Sequence, residues 1–181
     1  MFVYLSCLHP ACINQLYVYY IFIAAMNAYL RNGEDVALPP GGFEEATLTD
    51  VRQDRVFIKR RYGFVRLCLK YGAAIRPVYC FGEGQLFSNI QGLWSTRLAL
   101  NRFGIPTILV WGHGPFPFLP KKGVKLHIVV GKSLILPKIE SPAKEEVTLW
   151  HNKYIAELKR LYEEHKDDAY DNGKEAKLEV W

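Results

Sequence analysis

From Arg31 onward the chain alternates short apolar runs with amphipathic stretches, and glycine or proline stands at most of the junctions. Such short runs suit buried strands, while apolar residues recurring at three and four positions suit helices packed on them. The pattern predicts an α/β fold, a sheet flanked by helices. At 181 residues the chain is long enough for one domain with a sizeable core and would be cramped as two.

Val36–Leu38 reads as a short buried strand running into Pro39-Pro40-Gly41-Gly42. Val56–Tyr71 reads as a helix with Phe57, Phe64, Leu67 and Cys68 inward, closed by Gly72, where the left-handed conformation is cheap. Ala73–Phe81 is a second strand, and its Pro77 implies an edge position or a bulge because proline donates no ladder bond. Leu93–Phe103 is helical up to Gly104. Thr107–Trp111 and Leu126–Val130 follow as strands, with Ser133–Leu136 the partner of the latter across Gly131. Ser141-Pro142 opens the last helix, with proline at the first helical position and Glu145 and Glu146 complementing the dipole of the first turn. Val147, Trp150, Tyr154, Leu158, Leu161 and Tyr162 make its apolar face, and Lys166 sits near its end.

The first 30 residues carry no Asp, Glu, Lys or Arg. Their longest apolar run, Leu16–Met26, is 11 residues long, against the roughly 20 that a spanning helix needs. No basic stretch precedes it, which argues against a secretory signal. A short anchor, a buried helix and a gene-boundary artefact all remain open for residues 1–30. The formal net charge of +5 suits anionic headgroups, a cofactor's phosphates or nucleic acid. Nucleic acid is set aside, since no basic stretch is interleaved with aromatics and no zinc-finger spacing occurs. The four cysteines form no CxxC pair and fit reduced thiols; Cys7, His9 and Cys12 lack a fourth ligand, so no metal is expected.

Two glycine-bearing strand ends carry the candidate chemistry. In Pro40-Gly41-Gly42-Phe43-Glu44-Glu45, consecutive glycines let backbone amides approach a ligand that a β-carbon would exclude, and Glu45 or Glu44 is placed to orient a substrate hydroxyl. The second strand ends in Phe81-Gly82-Glu83. Ligands of open α/β sheets sit at strand C-terminal ends, so both turns are expected at one cleft. Lys59-Arg60-Arg61 is the densest basic cluster, either a phosphate contact or a solvated face. The apolar loop Pro115-Phe116-Pro117-Phe118-Leu119-Pro120 cannot be a regular helix and either packs inside or dips into lipid.

These blocks resemble the type 2 diacylglycerol acyltransferases, with the monoacylglycerol and wax-ester acyltransferases. Pro40-Gly41-Gly42 with Glu45 looks like the family's Pro-Gly-Gly-x-x-Glu, and Arg61-x-Gly63-Phe64 with Gly72, Pro77 and Phe81-Gly82-Glu83 looks like its longest signature. Val129-Val130-Gly131 with Leu136-Pro137 is similar to its C-terminal strand pair. Pro142, Glu146, His151, Tyr154, Leu158 and the run Leu161-Tyr162-Glu163-x-His165-Lys166 match its terminal helix.

The resemblance covers residues 31–181 and implies a partial glycerolipid-acyltransferase-like sheet there, an incomplete acyltransferase domain behind the apolar segment 1–30. It implies transfer of a fatty acyl group from acyl-CoA, the co-substrate, to a glyceride hydroxyl, with no bound cofactor, at the endoplasmic reticulum membrane or lipid droplet on the cytosolic face. The substrate-binding residues it implies are Pro40, Gly41, Gly42, Glu45, Arg61, Gly63, Phe64, Pro77, Phe81, Gly82 and Glu83. Its base lies in a His-Pro-His-Gly block, and neither that block nor His-x-x-x-x-Asp is found here. No catalytic residue is therefore assigned, and the chain reads as truncated, with a non-catalytic membrane-associated acyl-CoA or lipid binder as the alternative. His9-Pro10 continues as Ala11-Cys12 and is taken as coincidence; His113 stands where relatives often show Gly-Arg-Gly, and Gly84 replaces the Asn usual after Phe-Gly-Glu.

Overall fold

The computed structural model describes residues 15–181, with side chains described from residue 23 onward. The readings made of Cys7, His9 and Cys12 lie outside the described residues. Among those described, the fold is mixed α/β: helices α1 (Gln15–Arg31), α2 (Gly42–Leu48), α3 (Gly63–Tyr71), α4 (Trp94–Arg102) and α5 (Lys144–Ala169) enclose six short strands. The strands are β1 (Asp54–Val56), β2 (Val78–Phe81), β3 (Ser88–Asn89), β4 (Val110–Trp111), β5 (His127–Val130) and β6 (Leu178–Val180). They form three two-stranded ladders, β1 parallel to β6, β2 antiparallel to β5 and β3 antiparallel to β4, rather than one continuous sheet.

Helix α5 is the backbone of the core. It begins two residues after Pro142, at Lys144, where the Ala143 amide donates to Glu146 Oε2 at 2.8 Å. Val147, Tyr154, Leu158, Leu161 and Tyr162 are buried along it as the spacing predicts, and His151 joins them in place of the half-buried Trp150. Against this face pack Ile58, Val65 and Leu69 of the α3 region, Ile75, and Leu136. A second aromatic layer sets Phe81 in a stack on Tyr162, with ring centroids 5.3 Å apart, and Tyr79 edge-on to both. Burying such rings is among the larger favourable contributions available to a small domain.

Three sequence expectations need correction. Val36–Leu38 belongs to no ladder among the described residues. The helix expected from Val56 begins at Gly63, because tertiary pairing captures the backbone before it. Val56 O accepts from the Trp181 amide, and Trp181 O accepts from the amides of Ile58 and Lys59. Ser133–Leu136 does not pair with β5; Leu134 bridges Ile75 and β5 pairs with β2, so both lie along the one segment 75–81. Pro77 interrupts that segment, and Gly131 donates its amide to Pro77 O at 2.8 Å, a close approach in which an added Cβ would meet Pro77 Cγ at 2.9 Å. Of the two readings left open for the Pro115–Pro120 loop, packing inside is excluded, since Phe116, Phe118 and Leu119 are exposed.

Helix α3 ends as its sequence requires, with Gly72 at φ 67° and its amide returned to Cys68 O and Leu69 O. Helix α1 is tied to it by the Tyr71 hydroxyl, which donates to Asn27 Oδ1 at 2.7 Å. No helix among the described residues is long and apolar enough to cross a membrane.

The core assignment predicts a concrete cost. Leu69 is fully buried, so Leu69→Ala should destabilise the fold by about 2–5 kcal/mol, read as a lowered midpoint in urea denaturation; a loss below about 1 kcal/mol would contradict this packing.

Candidate functional site

A cavity of about 530 Å³ lies between the two glycine-bearing turns. Pro39, Pro40, Gly42, Phe43 and Glu45 line one side, and Val78, Tyr79, Cys80, Glu83 and Gly84 line the other. Val56, Ile58, Tyr154 and Leu158 add apolar wall, and Asp50, Asp54 and Arg55 add charge.

The Pro-Gly-Gly segment opens helix α2, with Gly42 at φ 65° as its first residue. Gly41 is compelled by space: a Cβ there would lie 2.2 Å from Glu45 Oε2. Arg61 holds this turn from outside the cavity. Its Nη2 donates to Glu44 Oε2 at 2.5 Å and to Gly41 O at 3.2 Å, and its guanidinium lies 5.2 Å from the centre of the Phe57 ring. Lys59 and Arg60 are exposed.

The second turn is fixed by an aromatic and carboxylate relay. Gly82, at φ 84°, donates its amide to Tyr170 Oη at 3.0 Å; Tyr170 donates in turn to Asp54 Oδ1 at 3.0 Å, and Tyr162 donates to Asp54 Oδ2 at 2.6 Å. Both phenols are pushed far above their usual range, by burial first and then by the Asp54 carboxylate. They are therefore fixed donors. A Cβ on Gly82 would fall 2.2 Å from Lys125 O, and one on Gly84 would fall 2.6 Å from Asp50 O.

Of the residues singled out from sequence, the structure brings Pro40, Gly42, Glu45 and Glu83 to the cavity, with Gly41, Arg61 and Gly82 shaping its turns. Phe64, Pro77 and Phe81 are elsewhere, doing packing: Phe64 meets Tyr154 edge-on at 5.1 Å, Pro77 is buried beside Gly131, and Phe81 is fully enclosed. Gly63 starts α3, and nothing lies within 4 Å of where its Cβ would be, so nothing in the structure explains a glycine there. Sequence reasoning missed Asp54, Tyr162 and Tyr170 as a unit, since an aspartate in a three-residue strand gives no local sign of partners more than a hundred positions away.

The described histidines do not line the cavity. His151 is buried with Nε2 2.9 Å from Ile58 O; a carbonyl only accepts, so this nitrogen carries the proton. Burial holds its pKa below the ordinary value, and the Ile58 carbonyl opposes that shift. Among the described residues no group of three or more His, Cys, Asp or Glu side chains is arranged to hold a metal ion.

Glu45 is the titratable group of most consequence. The residue is partly exposed, but its carboxyl lies deep, and burial pushes its pKa up to about 6; the Glu83 carboxylate adds to the rise, while the Phe57 amide, donating to Oε2 at 3.0 Å, opposes it. Its ordinary value is 4.5. Below that pH both folded and unfolded chains are protonated and Glu45 costs nothing. As pH rises through about 6 the folded state must hold a buried charge, a loss of about 2 kcal/mol. Glu45→Gln should therefore be more stable than the parent by about 1–2 kcal/mol above neutrality and equal to it near pH ~4, measured by urea denaturation at both pH values. An advantage that persists undiminished in acid would contradict the assignment.

The family model described as diacylglycerol acyltransferase matches residues 23–181. Among curated proteins, the chain is 34% identical over 148 residues to 2-acylglycerol O-acyltransferase 3 of Homo sapiens, covering 76% of this chain and 43% of that protein. It is 32% identical over 152 residues to diacylglycerol O-acyltransferase 2 of Dictyostelium discoideum, covering 77% and 45% respectively. It is 33% identical over 146 residues to acyl-CoA wax alcohol acyltransferase 2 of Mus musculus, covering 74% and 43%. The chain thus spans under half the length of these relatives. No solved structure matches it. With the family match running from residue 23 to residue 181, the chain belongs to the diacylglycerol acyltransferase family.

Proposed function

We propose that this chain supplies the substrate cleft of an acyl-CoA-dependent O-acyltransferase that esterifies a glyceride hydroxyl, of the kind that converts diacylglycerol to triacylglycerol. The observation that carries the reading is the convergence of Gly42 and Glu45 with Glu83 and Gly84 on one largely apolar cavity, in a chain of this family. The relatives' names agree on the reaction type and differ in the acceptor, glyceride or wax alcohol.

In the transfer, the acceptor oxygen attacks the thioester carbonyl, the new C–O bond forms, the C–S bond breaks, and CoA leaves as the thiol carrying the hydroxyl's proton. Apolar walls from Val56, Ile58, Val78 and Leu158 suit acyl methylenes, and the volume of about 530 Å³ is within the usual range for a bound small molecule, about 300–1,000 Å³. Glu45, which changes protonation near neutrality, and Glu83 across from it orient the hydroxyl at the cavity's polar end. The Asp54–Tyr170 relay holds the Glu83 turn in place. Residues 31–181 act as one acyltransferase unit in this reading, the short ladders being parts of a glycerolipid-acyltransferase-like sheet, placed at the cytosolic face of the endoplasmic reticulum membrane or a lipid droplet.

The test is to express the chain in a host that makes no triacylglycerol and to supply its membranes with labelled acyl-CoA and diacylglycerol, monoacylglycerol or fatty alcohol in parallel. Because no catalytic base is assigned in this chain, ester formation is expected to be weak, with triacylglycerol the main labelled product, and Gly42→Val, which forces a branched side chain to φ 65°, should cut it by roughly tenfold or more at equal protein level. Acyl-CoA binding with no ester formed on any acceptor would replace this reading with that of a non-catalytic lipid-binding relative.

A further inference from the structure

The hydroxyl of Tyr154 holds no part of the fold together. Its residue is 7% exposed and belongs to the core cluster, with Phe64 edge-on to the ring at 5.1 Å. The hydroxyls of Tyr71, Tyr162 and Tyr170 donate to Asn27 or Asp54, whereas that of Tyr154 has no hydrogen-bond partner among the described residues. Buried polar groups are nearly always paired, so a phenol left over in this way calls for an explanation.

Its position supplies one. Tyr154 and Leu158, one turn apart and so on one face of α5, are the two residues this helix gives to the wall of the cavity. Leu158 continues the apolar surface of Val56, Ile58 and Val78, and Glu45 stands on the same cavity. Burial pushes the phenol's pKa up to about 12, and the Glu45 carboxylate adds to the rise, which sets the hydroxyl end of the ring toward Glu45. A phenol with so high a pKa stays neutral near pH ~7, so it is a donor there and neither a base nor a nucleophile.

We propose that the Tyr154 hydroxyl donates to the carbonyl oxygen of the thioester bound in the cavity, an assignment that rests on the acyl-transfer reading above. With the acyl methylenes along Leu158 and the acceptor hydroxyl at Glu45, the carbonyl is the group that joins the two, and Tyr154 stands between those residues on the wall. As the acceptor oxygen bonds to the thioester carbon, the carbonyl's π pair moves onto its oxygen; it returns to the carbon as the C–S bond breaks. Tyr154 keeps its proton throughout. Charge on that oxygen grows toward the transition state, and a donor already fixed by core packing stabilises it there more than in the bound thioester.

The experiment compares the affinity of the full chain, in detergent, for palmitoyl-CoA and for S-hexadecyl-CoA, the thioether that lacks the carbonyl. Dipalmitoylglycerol and its dihexadecyl ether form a second pair. The parent should prefer the thioester over the thioether by roughly three- to tenfold, the range of one hydrogen bond. Tyr154→Phe, which keeps the ring, should bring the two CoA ligands to equal affinity without weakening the thioether. Its urea midpoint should equal or exceed the parent's, because the hydroxyl holds no other group; a lower midpoint would give the phenol a structural partner and overturn the proposal. Equal parent affinity for the two CoA ligands overturns it too, as does a preference that Tyr154→Phe retains or one that appears in the glyceride pair instead. A parent that binds neither CoA ligand sinks the acyl-transfer reading and the proposal with it.

Discussion

The Asp54 carboxylate is where the strand, the long helix and the site are joined. It receives the hydroxyls of Tyr162 and Tyr170, one from within α5 and one from its C-terminal cap, and Tyr170 receives the amide of Gly82. Hydrogen bonds to a charged acceptor are worth about 1.5–3 kcal/mol each, and Tyr162 is fully buried against Phe81. Removing the carboxylate would strand two phenols and loosen a glycine amide together. Asp54 also faces the cavity, so one side chain couples the pairing of β1 with β6, the seating of α5 and the position of the Glu83 turn.

A second polar node does the same for the opposite wall. Asn89 donates to Thr47 O, Asn101 donates to Thr47 Oγ1 at 2.7 Å, and Arg97 reaches both Asn89 Oδ1 and Thr107 O. These residues are buried, and pairing offsets most of the cost of burying their polar groups, with Arg97 Nε left without a partner. The network fixes α2, and with it Gly42 and Glu45, against α4 and the β3–β4 ladder. The cavity is therefore held between two hydrogen-bonded nodes.

Much of this was legible from spacing. The stripe on α5, the left-handed Gly72 and the interruption at Pro77 all follow from local rules, and the helix between Leu93 and Gly104 was placed to within a residue at each end. The misses share one physical origin, pairing over long sequence separation. Val56–Lys59 looked helical by periodicity, yet its backbone is taken up by Trp181. Ser133–Leu136 looked like the return strand of a hairpin, yet Gly131 lies so close to Pro77 that the chain continues along the 75–81 segment. In the site, the glycine turns announced themselves because they are contiguous. Arg61, read as a phosphate contact or a solvated charge and as substrate-binding through the resemblance, also clasps Glu44 and Gly41, a role set by a partner seventeen positions away. Phe64, Pro77 and Phe81 entered the candidate list through the resemblance, and their places in the core show that a family signature records folding requirements as well as chemistry.

Gly84 shows how such a departure is accommodated. Where the resemblance leads one to expect asparagine after Phe-Gly-Glu, this chain has glycine, and a Cβ there would sit 2.6 Å from Asp50 O. Backbone cannot yield as a flexible side chain can, so an asparagine at 84 requires the 49–51 segment to stand further off. That segment borders the cavity at Thr49 and Asp50, and Arg55 is ion-paired to Asp50. The glycine thus lets the loop after α2 approach the loop after β2 at the polar end of the cleft.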